Sequence, residues 1–116
     1  MSTQTMETAG MVKMTGQQAV SAALFQAMAE DSRVLVFGED VADREGGGVM
    51  GTTKGLSARF GDLRVRSTPI AEQSIMGAAI GAAMAGYKPV AEIMLMNFIT
   101  VAMDMVVNHA AKLRFM

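Results

Sequence analysis

The sequence contains no cysteine and no tryptophan, and it has one histidine, two prolines and one tyrosine among 116 residues. The lack of cysteine excludes disulfides and thiol chemistry, and a single histidine excludes metal sites built from clustered His and Cys ligands. The net charge is −1 and the basic residues are scattered, so the charge pattern does not predict nucleic acid binding. The longest apolar stretches fall short of the roughly 20 residues of a membrane-spanning helix, and we expect no membrane association.

Hydrophobic residues make up 51% of the chain and include 13 methionines, which is enough for one domain with its own core. Residues 1–14 are rich in Ser and Thr and have no apolar run. This segment resembles neither a signal peptide nor an Arg-rich transit peptide, so we predict a disordered lead-in and a cytoplasmic location. The ordered domain is expected at residues 15–116.

Helical and strand patterns alternate along that domain. Thr15 and Gln18 have the spacing of a capping box, and Asn97 is a plausible N-cap for the last helix. The expected helices are 15–30, 53–59, 71–86 and 98–113, and the expected strands are 34–37, 65–67 and 90–96. Strands that alternate with helices predict an α/β fold, a parallel sheet with helices on both faces.

A glycine-rich loop at residues 42–51 separates the first strand from the second helix. It lacks the Gly-x-Gly-x-x-Gly spacing of dinucleotide-binding loops. Asp43, Arg44 and Glu45 would also bring charged groups, two of them acidic, towards the phosphates. We therefore interpret it as a flexible loop.

Four acidic residues invite a functional interpretation. Glu39 and Asp40 follow the first strand, and open α/β sheets bind ligands at the carboxyl ends of strands, although acidic residues there more often simply begin a solvated loop. Glu72 begins a helix, where acidic residues are common for reasons of helix stability alone. Glu92 interrupts the third strand; a buried charge should be paired, so we predict a structural role.

The helix that begins at Glu72 carries small residues on one face. Gly77 and Gly81 lie one turn apart, which permits close contact with another backbone, within the chain or in a partner subunit. Farther along, Asp104, Asn108 and Lys112 predict a polar stripe on the last helix. His109, with no partner near in sequence, is expected at a surface or an interface.

Six motifs occur in a characteristic order: Phe37-Gly38-Glu39-Asp40-Val41, Thr53-Lys54-Gly55-Leu56, Phe60-Gly61, Thr68-Pro69-Ile70-Ala71-Glu72, Lys88-Pro89-Val90-Ala91-Glu92 and Ala110-Ala111-Lys112. Together they resemble the β subunit of thiamin-diphosphate-dependent 2-oxo acid dehydrogenases of the pyruvate, branched-chain and acetoin types. The resemblance implies a transketolase-like pyrimidine-binding domain. It also implies an N-terminal fragment of that subunit, incomplete at the C-terminus.

The resemblance implies roles for particular residues. Glu72 matches the glutamate that hydrogen-bonds a ring nitrogen of the cofactor's aminopyrimidine and favours its imino tautomer. Phe98 matches the aromatic residue that packs on the pyrimidine, and Met94 is expected to line the same pocket. Glu39 matches an acidic residue near the pyrimidine that is proposed to move protons between active sites. Asn97 stands where many relatives have Asp.

The resemblance also implies partners and a reaction. An α subunit would hold the diphosphate and Mg²⁺ through a Gly-Asp-Gly…Asn motif, which Gly61-Asp62-Leu63 does not match, so no metal ligand is expected on this chain. A second β subunit would pack through Gly77 and Gly81, and a lipoyl-bearing acyltransferase would accept the acyl group. The implied reaction is oxidative decarboxylation of a 2-oxo acid or cleavage of acetoin, with the substrate left open. The fragment alone should not turn over substrate.

Two other interpretations remain open. A transketolase-type thiamin enzyme would share the glutamate at Glu72 but generally not the motifs around Gly38 and Pro89. A non-catalytic interaction subunit would keep the fold without the chemistry.

Overall fold

The computed structural model describes residues 12–116, so residues 1–11 of the predicted lead-in lie outside the described part. In chain order the elements are α1 (Gly16–Glu30), β1 (Val34–Glu39), a 3-10 turn (Asp43–Glu45), α2 (Leu56–Phe60), β2 (Val65–Thr68), α3 (Glu72–Met84), β3 (Lys88–Ala91), a second 3-10 turn (Met96–Phe98), α4 (Ile99–Asp104) and a π-helix (Met105–Ala110). Within residues 12–116 no helix is both long and apolar enough to cross a bilayer.

The central strand of the sheet is β1, in a parallel order β2-β1-β3. Val36 pairs with Val65 on one side and with Val90 on the other. All of β1 is buried except the half-buried Leu35, because the strand has a neighbour on each side and helices over both faces. The predicted α/β fold with a parallel sheet is confirmed.

Each face of the sheet has its own hydrophobic cluster. On one face, α1 and α2 pack against the strands through residues that include Met28, Val36, Leu56 and Val65, all at most 1% exposed. On the other face, α3 packs through Ile75 and Ala79 onto Phe37. The alternation of Val36 and Phe37 between these clusters follows from the two-residue period of a strand.

The predicted capping box at the start of α1 is confirmed. The amide of Gln18 donates to the Thr15 hydroxyl at 3.2 Å, and the amide of Thr15 donates to the Gln18 side-chain oxygen at 2.9 Å. These reciprocal bonds satisfy two amides that a helix start otherwise leaves free.

The third strand lies earlier than predicted. It spans Lys88–Ala91 rather than 90–96 because its partners on β1 are Val34 to Phe37. Its residues alternate between exposed and half-buried because successive side chains of a strand point to opposite faces. None is fully buried because β3 is an edge strand within residues 12–116. The prediction of a fully buried strand was drawn from an apolar run, and such a run does not by itself distinguish a strand from a turn.

The last helix is not continuous. The chain passes from a 3-10 turn into α4 and then into the π-helix, and the N-cap of α4 is Phe98 rather than Asn97. Asn97 is exposed, and its backbone carbonyl, rather than its side chain, accepts a hydrogen bond from the Thr100 hydroxyl at 2.9 Å. The predicted N-cap role of Asn97 is therefore wrong.

The predicted polar stripe on this helical segment is confirmed. The amide of Asn108 donates to Asp104, and Lys112 donates to the Asn108 carbonyl oxygen, each at 2.8 Å. His109, expected at a surface or an interface, is half-buried, and within residues 12–116 its buried Nδ1 has no hydrogen-bond partner.

The glycine-rich loop is held in a series of hydrogen-bonded turns, whereas the composition predicted a flexible segment. The amide of Gly48 donates to the Asp40 carbonyl at 2.7 Å, and the Thr53 hydroxyl donates to the Val41 carbonyl at 2.8 Å. Gly47 has φ +77°, and a Cβ there would lie 2.4 Å from the backbone of Lys54. Only glycine fits this close approach.

Candidate functional site

The second strand, β2, pairs with one side of β1, and the third strand, β3, pairs with the other side. The direction in which the chain adds strands to the sheet therefore reverses at β1. In open parallel sheets a crevice forms at such a point, at the carboxyl ends of the strands. Glu39 is the last residue of β1, and Glu92 directly follows β3. Glu72 is the first residue of α3, which connects β2 to β3. The topology therefore brings carboxylates from three separate segments to one edge of the sheet.

Glu39 is the most buried of these carboxylates, with 5% of its surface exposed. Its Oε1 atom is buried and has no hydrogen-bond partner among residues 12–116. Burial raises the pKa of Glu39, and the nearby carboxylates of Glu72 and Asp40 raise it further. The structure thus brings together Glu39 and Glu72, two residues that the sequence selected as site candidates.

Glu72 is 9% exposed and lies in the first turn of α3. The chain reaches it from β2 through Pro69, which keeps the preceding Thr68 extended but has no amide N–H to continue the ladder. No side chain caps α3, whose N-cap residue is Ala71. The free amides at this helix start favour a negative charge at Glu72, which helps to explain a carboxylate that is largely removed from water.

Glu92 is held against β1 by the backbone. Its amide donates to the Phe37 carbonyl at 2.9 Å, which extends the β1–β3 ladder by one residue. The side chain lies over Gly38, where an added Cβ would lie 2.9 Å from Glu92 Cβ and 3.1 Å from its Oε2. Glycine at position 38 therefore makes room for the Glu92 side chain against β1.

The expectation that Glu92 is paired is wrong within the described part of the chain. Its Oε2 atom is buried and has no hydrogen-bond partner there. Burial raises the pKa of Glu92, with further contributions from the charges of Glu39 and Asp40. Sequence analysis assigned Glu92 only a structural role. The available signal was its position directly after a strand, the same position that drew attention to Glu39.

Basic side chains do not neutralise this edge. The three ion pairs among residues 12–116 join Asp31 to Arg33 and Lys88, and Arg44 to Glu45. The same residues contain no group of three or more His, Asp or Glu side chains arranged to hold a metal ion. Carboxyl groups crowded together without a cation retain protons more readily, so this edge is suited to holding and exchanging protons.

Met94 and Phe98 follow β3, on the segment that leads away from the carboxylate edge. Both are half-buried, and neither belongs to the two hydrophobic clusters of the described residues. Ligand pockets are lined mostly by apolar side chains, so these two residues remain candidates for a pocket lining. Their predicted role as pocket-lining residues stays a prediction.

Asp40 has φ +55°, a left-handed conformation that is uncommon for residues other than glycine. Its side chain is exposed, while its carbonyl accepts the amide of Gly48. This backbone turn directs the chain away from β1 immediately after Glu39. The Glu39 side chain thus lies at the end of β1, and the loop that follows runs away from this strand end.

Part of the small-residue face of α3 is covered by the chain's own residues. A Cβ on Gly77 would lie 3.4 Å from Met105 Sδ, so Gly77 allows the π-helix to pack closely on α3. Gly81 is exposed, and a Cβ added there would meet no atom of the described residues within 4 Å. The contact predicted for Gly77 is therefore within the chain, and Gly81 is open.

Residues 12–116 match the family described as transketolase, pyrimidine binding domain. The acetoin:2,6-dichlorophenolindophenol oxidoreductase subunit beta of Bacillus subtilis is 45% identical over 84% of this chain and 32% of its own length. The 3-methyl-2-oxobutanoate dehydrogenase subunit beta of Mycobacterium tuberculosis is 50% identical over 87% of this chain and 28% of its own. The mitochondrial pyruvate dehydrogenase E1 component subunit beta of Drosophila melanogaster is 43% identical over 90% of this chain and 28% of its own.

The chain spans about a third or less of the length of these relatives. The family match covers every element of the described fold, including the strand ends that carry Glu39 and Glu92 and the helix start that carries Glu72. The chain belongs to the transketolase pyrimidine-binding domain family and is similar to β subunits of 2-oxo acid and acetoin dehydrogenases.

Proposed function

We propose that this chain is part of the β subunit of a 2-oxo acid or acetoin dehydrogenase and that it binds the pyrimidine end of thiamin diphosphate. The observation that carries the proposal is the buried Glu72 carboxylate at the start of α3, which interacts with Glu39 at the end of the central strand. The relatives named above support the reaction class, because all three are β subunits of such enzymes.

The residues at this edge fit an aminopyrimidine. That ring has nitrogen atoms that exchange hydrogen bonds with a carboxyl group, and it has a flat apolar face. Glu72 and Glu39 supply buried carboxyl oxygens, and the Glu39 Oε1 atom has no partner within residues 12–116. The half-buried Met94 and Phe98, which follow β3, are proposed to supply the apolar surface for the ring.

Thiamin diphosphate, when bound, supplies the carbanion chemistry by which a 2-oxo acid loses carbon dioxide or acetoin is cleaved. Glu72 is proposed to hold a hydrogen bond and a proton at a ring nitrogen of the pyrimidine. Glu39 is proposed to exchange protons with that site, since its charge and that of Glu72 interact.

The diphosphate end of the cofactor is proposed to bind to a partner subunit. The chain has no Gly-Asp-Gly…Asn motif, so we assign the diphosphate and Mg²⁺ to an α subunit in an α₂β₂ heterotetramer. A second β subunit is proposed to pack at the open Gly81 position of α3, and a lipoyl-bearing acyltransferase to accept the acyl group. Purification of the co-expressed subunits with a tag on the β chain alone tests which of these proteins assemble with it.

A cytoplasmic location is proposed on the composition of residues 1–14, while the Drosophila relative is named as mitochondrial. Cell fractionation of the tagged full-length protein tests it, and recovery in an organelle or membrane fraction would contradict it.

The decisive experiment compares the wild-type full-length β chain with Glu72→Gln, each co-expressed with the α subunit and supplied with thiamin diphosphate and Mg²⁺. Reduction of a dye is followed with pyruvate, branched-chain 2-oxo acids and acetoin. We expect dye reduction by the wild type with at least one substrate and a loss of ~100-fold or more in Glu72→Gln, the scale of a lost acid–base group. The preferred substrate identifies the subtype.

Glu30→Gln is the matched control, because it removes the same charge from an exposed residue at the end of α1. Its activity should equal that of the wild type, and all variants should assemble equally. Equal activity in Glu72→Gln would exclude Glu72 from the chemistry. A well-assembled wild-type complex that is inactive with all three substrate classes would instead favour a non-catalytic interaction subunit.

A further inference from the structure

The start of α3 carries Glu72 but has no side-chain cap within residues 12–116. Its N-cap residue is Ala71, and alanine has no side-chain oxygen that could accept a hydrogen bond from the amides of the first turn. Helix ends fray, and those without a cap fray most readily. The position of Glu72 therefore depends on the tertiary contacts that the first two turns of α3 make.

Two of these contacts come from the segment in which α4 passes into the π-helix. Asp104 is the last residue of α4, and its Oδ2 atom accepts a long hydrogen bond of 3.5 Å from Gln73 Nε2, next to Glu72 in the chain. One turn farther along α3, the sulfur of Met105 lies 3.4 Å from where a Cβ of Gly77 would be. Asp104 and Met105 are adjacent, so one short segment contacts both of the first two turns of α3.

The Asp104 carboxylate is itself held in place. Its other oxygen, Oδ1, accepts the side-chain amide of Asn108 at 2.8 Å, and the Asn108 oxygen accepts the Lys112 ammonium at 2.8 Å. Four polar side chains thus form a continuous series from Gln73 to Lys112. Asp104 is the member that accepts from both sides, and a side-chain amide in its place would offer one oxygen instead of two.

This segment also has an unusual backbone. The π-helix begins at Met105, the residue that contacts Gly77, and none of its residues is buried. π-helices are rare and occur frequently at functional sites. A segment that contributes no buried residue to the core, yet packs on the helix that carries Glu72, fits a role at the site better than a role in the core.

We propose that Asp104 is a positioning residue for Glu72. Through Gln73 it holds the first turn of α3 against the junction of α4 and the π-helix, and the contact between Gly77 and Met105 holds the second turn. The Glu72 carboxyl group is thereby kept in place, although Asp104 itself touches no reacting atom. The effect on the reaction rests on the function proposed above, whereas the ordering of the helix start is a property of the protein without cofactor.

Hydrogen exchange followed by mass spectrometry tests this ordering in the assembled full-length complex without thiamin diphosphate. Asp104→Asn leaves one oxygen for two donors, and Gln73→Met removes the donor on α3. We expect both variants to exchange the amides of residues 75–78 several-fold faster than the wild type, as a locally loosened helix start does. Wild-type exchange at residues 75–78 in both variants would overturn the proposal.

Gln26→Met is the matched control for Gln73→Met. Gln26 also donates from its side-chain amide to a carboxylate, that of Glu30 at 2.8 Å, but it does so on α1. We expect Gln26→Met to leave exchange at residues 75–78 unchanged. Faster exchange there in the control as well would mean that loss of any surface hydrogen bond loosens α3, which overturns a specific role of Asp104.

A compensating pair of substitutions tests whether the hydrogen bonds are what holds the helix start. Asp104→Asn combined with Asn108→Asp makes the amide and the carboxylate change places. The pair still offers an oxygen to Gln73 and another to Lys112, and the amide still donates to the carboxylate. We expect wild-type exchange and activity to return. Failure of the pair to improve on Asp104→Asn alone would overturn the proposal.

A double-mutant cycle with Glu72→Gln separates positioning from a general structural defect. With Glu72 present, Asp104→Asn should lower kcat on the order of tenfold, less than the ~100-fold that a misplacement of about 1 Å can cost. In the Glu72→Gln background it should cause no further loss, because the group that it positions is absent. Equal losses in both backgrounds would overturn the proposal. The exchange measurement needs no turnover, so its failure is distinguishable from failure of the Glu72→Gln experiment.

Discussion

At the scale of single residues, Asp43 organises the loop between β1 and α2. Its carboxylate accepts hydrogen bonds from the amide of Gly55, from the Ser57 hydroxyl at 2.7 Å and from the amide of Ala58 at 2.7 Å. The amide of Asp43 donates in turn to Ser57 Oγ at 2.8 Å. These bonds satisfy free amides at the start of α2, a helix without its own side-chain cap. They also lower the pKa of Asp43, with the Gly55 amide as the largest cause.

We expect Asp43→Asn to reduce the free energy of unfolding at neutral pH by about 1.5–3 kcal/mol, the range for hydrogen bonds to charged groups. Because folding lowers the pKa of Asp43, its carboxylate stabilises the protein at pH values above the ordinary Asp pKa near ~4. That stabilisation decreases as the pH falls through this value and the folded-state pKa below it. The difference between wild type and Asp43→Asn should therefore shrink on acidification.

Chemical denaturation of both proteins between neutral and acidic pH measures this effect. Asp62→Asn serves as the control, since Asp62 is exposed and makes no hydrogen bond or ion pair with residues 12–116. A stability difference that stays constant across the pH range would show that the charge of Asp43 is not what stabilises the loop.

At the scale of elements, the contact between β1 and the end of β3 determines the geometry of the site. Gly38 is buried and does not have a positive φ, so its conformation is open to other residues. Its restriction is steric, because an added Cβ would lie 2.6 Å from the carbonyl oxygen of Glu92. That oxygen belongs to the backbone and cannot move away without displacing the strand end.

We expect Gly38→Ala to lower stability by about 1–3 kcal/mol, as overpacking of a well-filled interior does. It should also reduce activity by displacing Glu92 and the end of β1. Gly16→Ala is the matched control, since a Cβ at position 16 meets no atom within 4 Å and alanine favours a helix. Thermal unfolding of both variants measures the difference. Equal unfolding midpoints of the two variants would contradict this prediction, because they would show that the strand end moves aside for the added methyl group at little cost.

At the scale of the whole molecule, α3 covers only part of its side of the sheet. A cavity of about 720 Å³ lies between its small residues and the strands, lined by residues such as Leu35, Ala78, Ala82 and Tyr87. Within residues 12–116 the Gly81 position is also uncovered. The two faces of the sheet thus differ, with α1 and α2 completing a core on one side and α3 leaving the other side partly open.

We expect Gly81→Leu to weaken the proposed contact between β subunits while the domain keeps its fold, because no atom of residues 12–116 lies within 4 Å of the added Cβ. Ala83→Leu is the control on the same helix, at an exposed position that points to another side. Light scattering coupled to size-exclusion chromatography of the co-expressed complex measures the mass. An unchanged mass in Gly81→Leu would exclude this position from the contact between β subunits.

Local patterns in the sequence were sufficient for most of the secondary structure. The capping box at Thr15, the apolar run from Val34 and the start of α3 at Glu72 were all predicted and are confirmed. The predicted helix end near Gly86 is confirmed as well: Gly86 has φ +89°, its amide donates to the Ala83 carbonyl, and the Tyr87 amide donates to the Ala82 carbonyl. These signals depend on neighbours within a few residues, which a sequence displays directly.

The sequence by itself determined the α/β fold, because the alternation of strand and helix patterns permits few arrangements. Only the tertiary structure decided the neighbours of each buried polar group. Arg64 bonds the carbonyls of Met28 and Asp31 at 2.9 and 2.8 Å, and Glu92 lies beside Gly38 rather than beside a cation. Such partners are far apart in the chain, and only the packing of the strands brings them into contact.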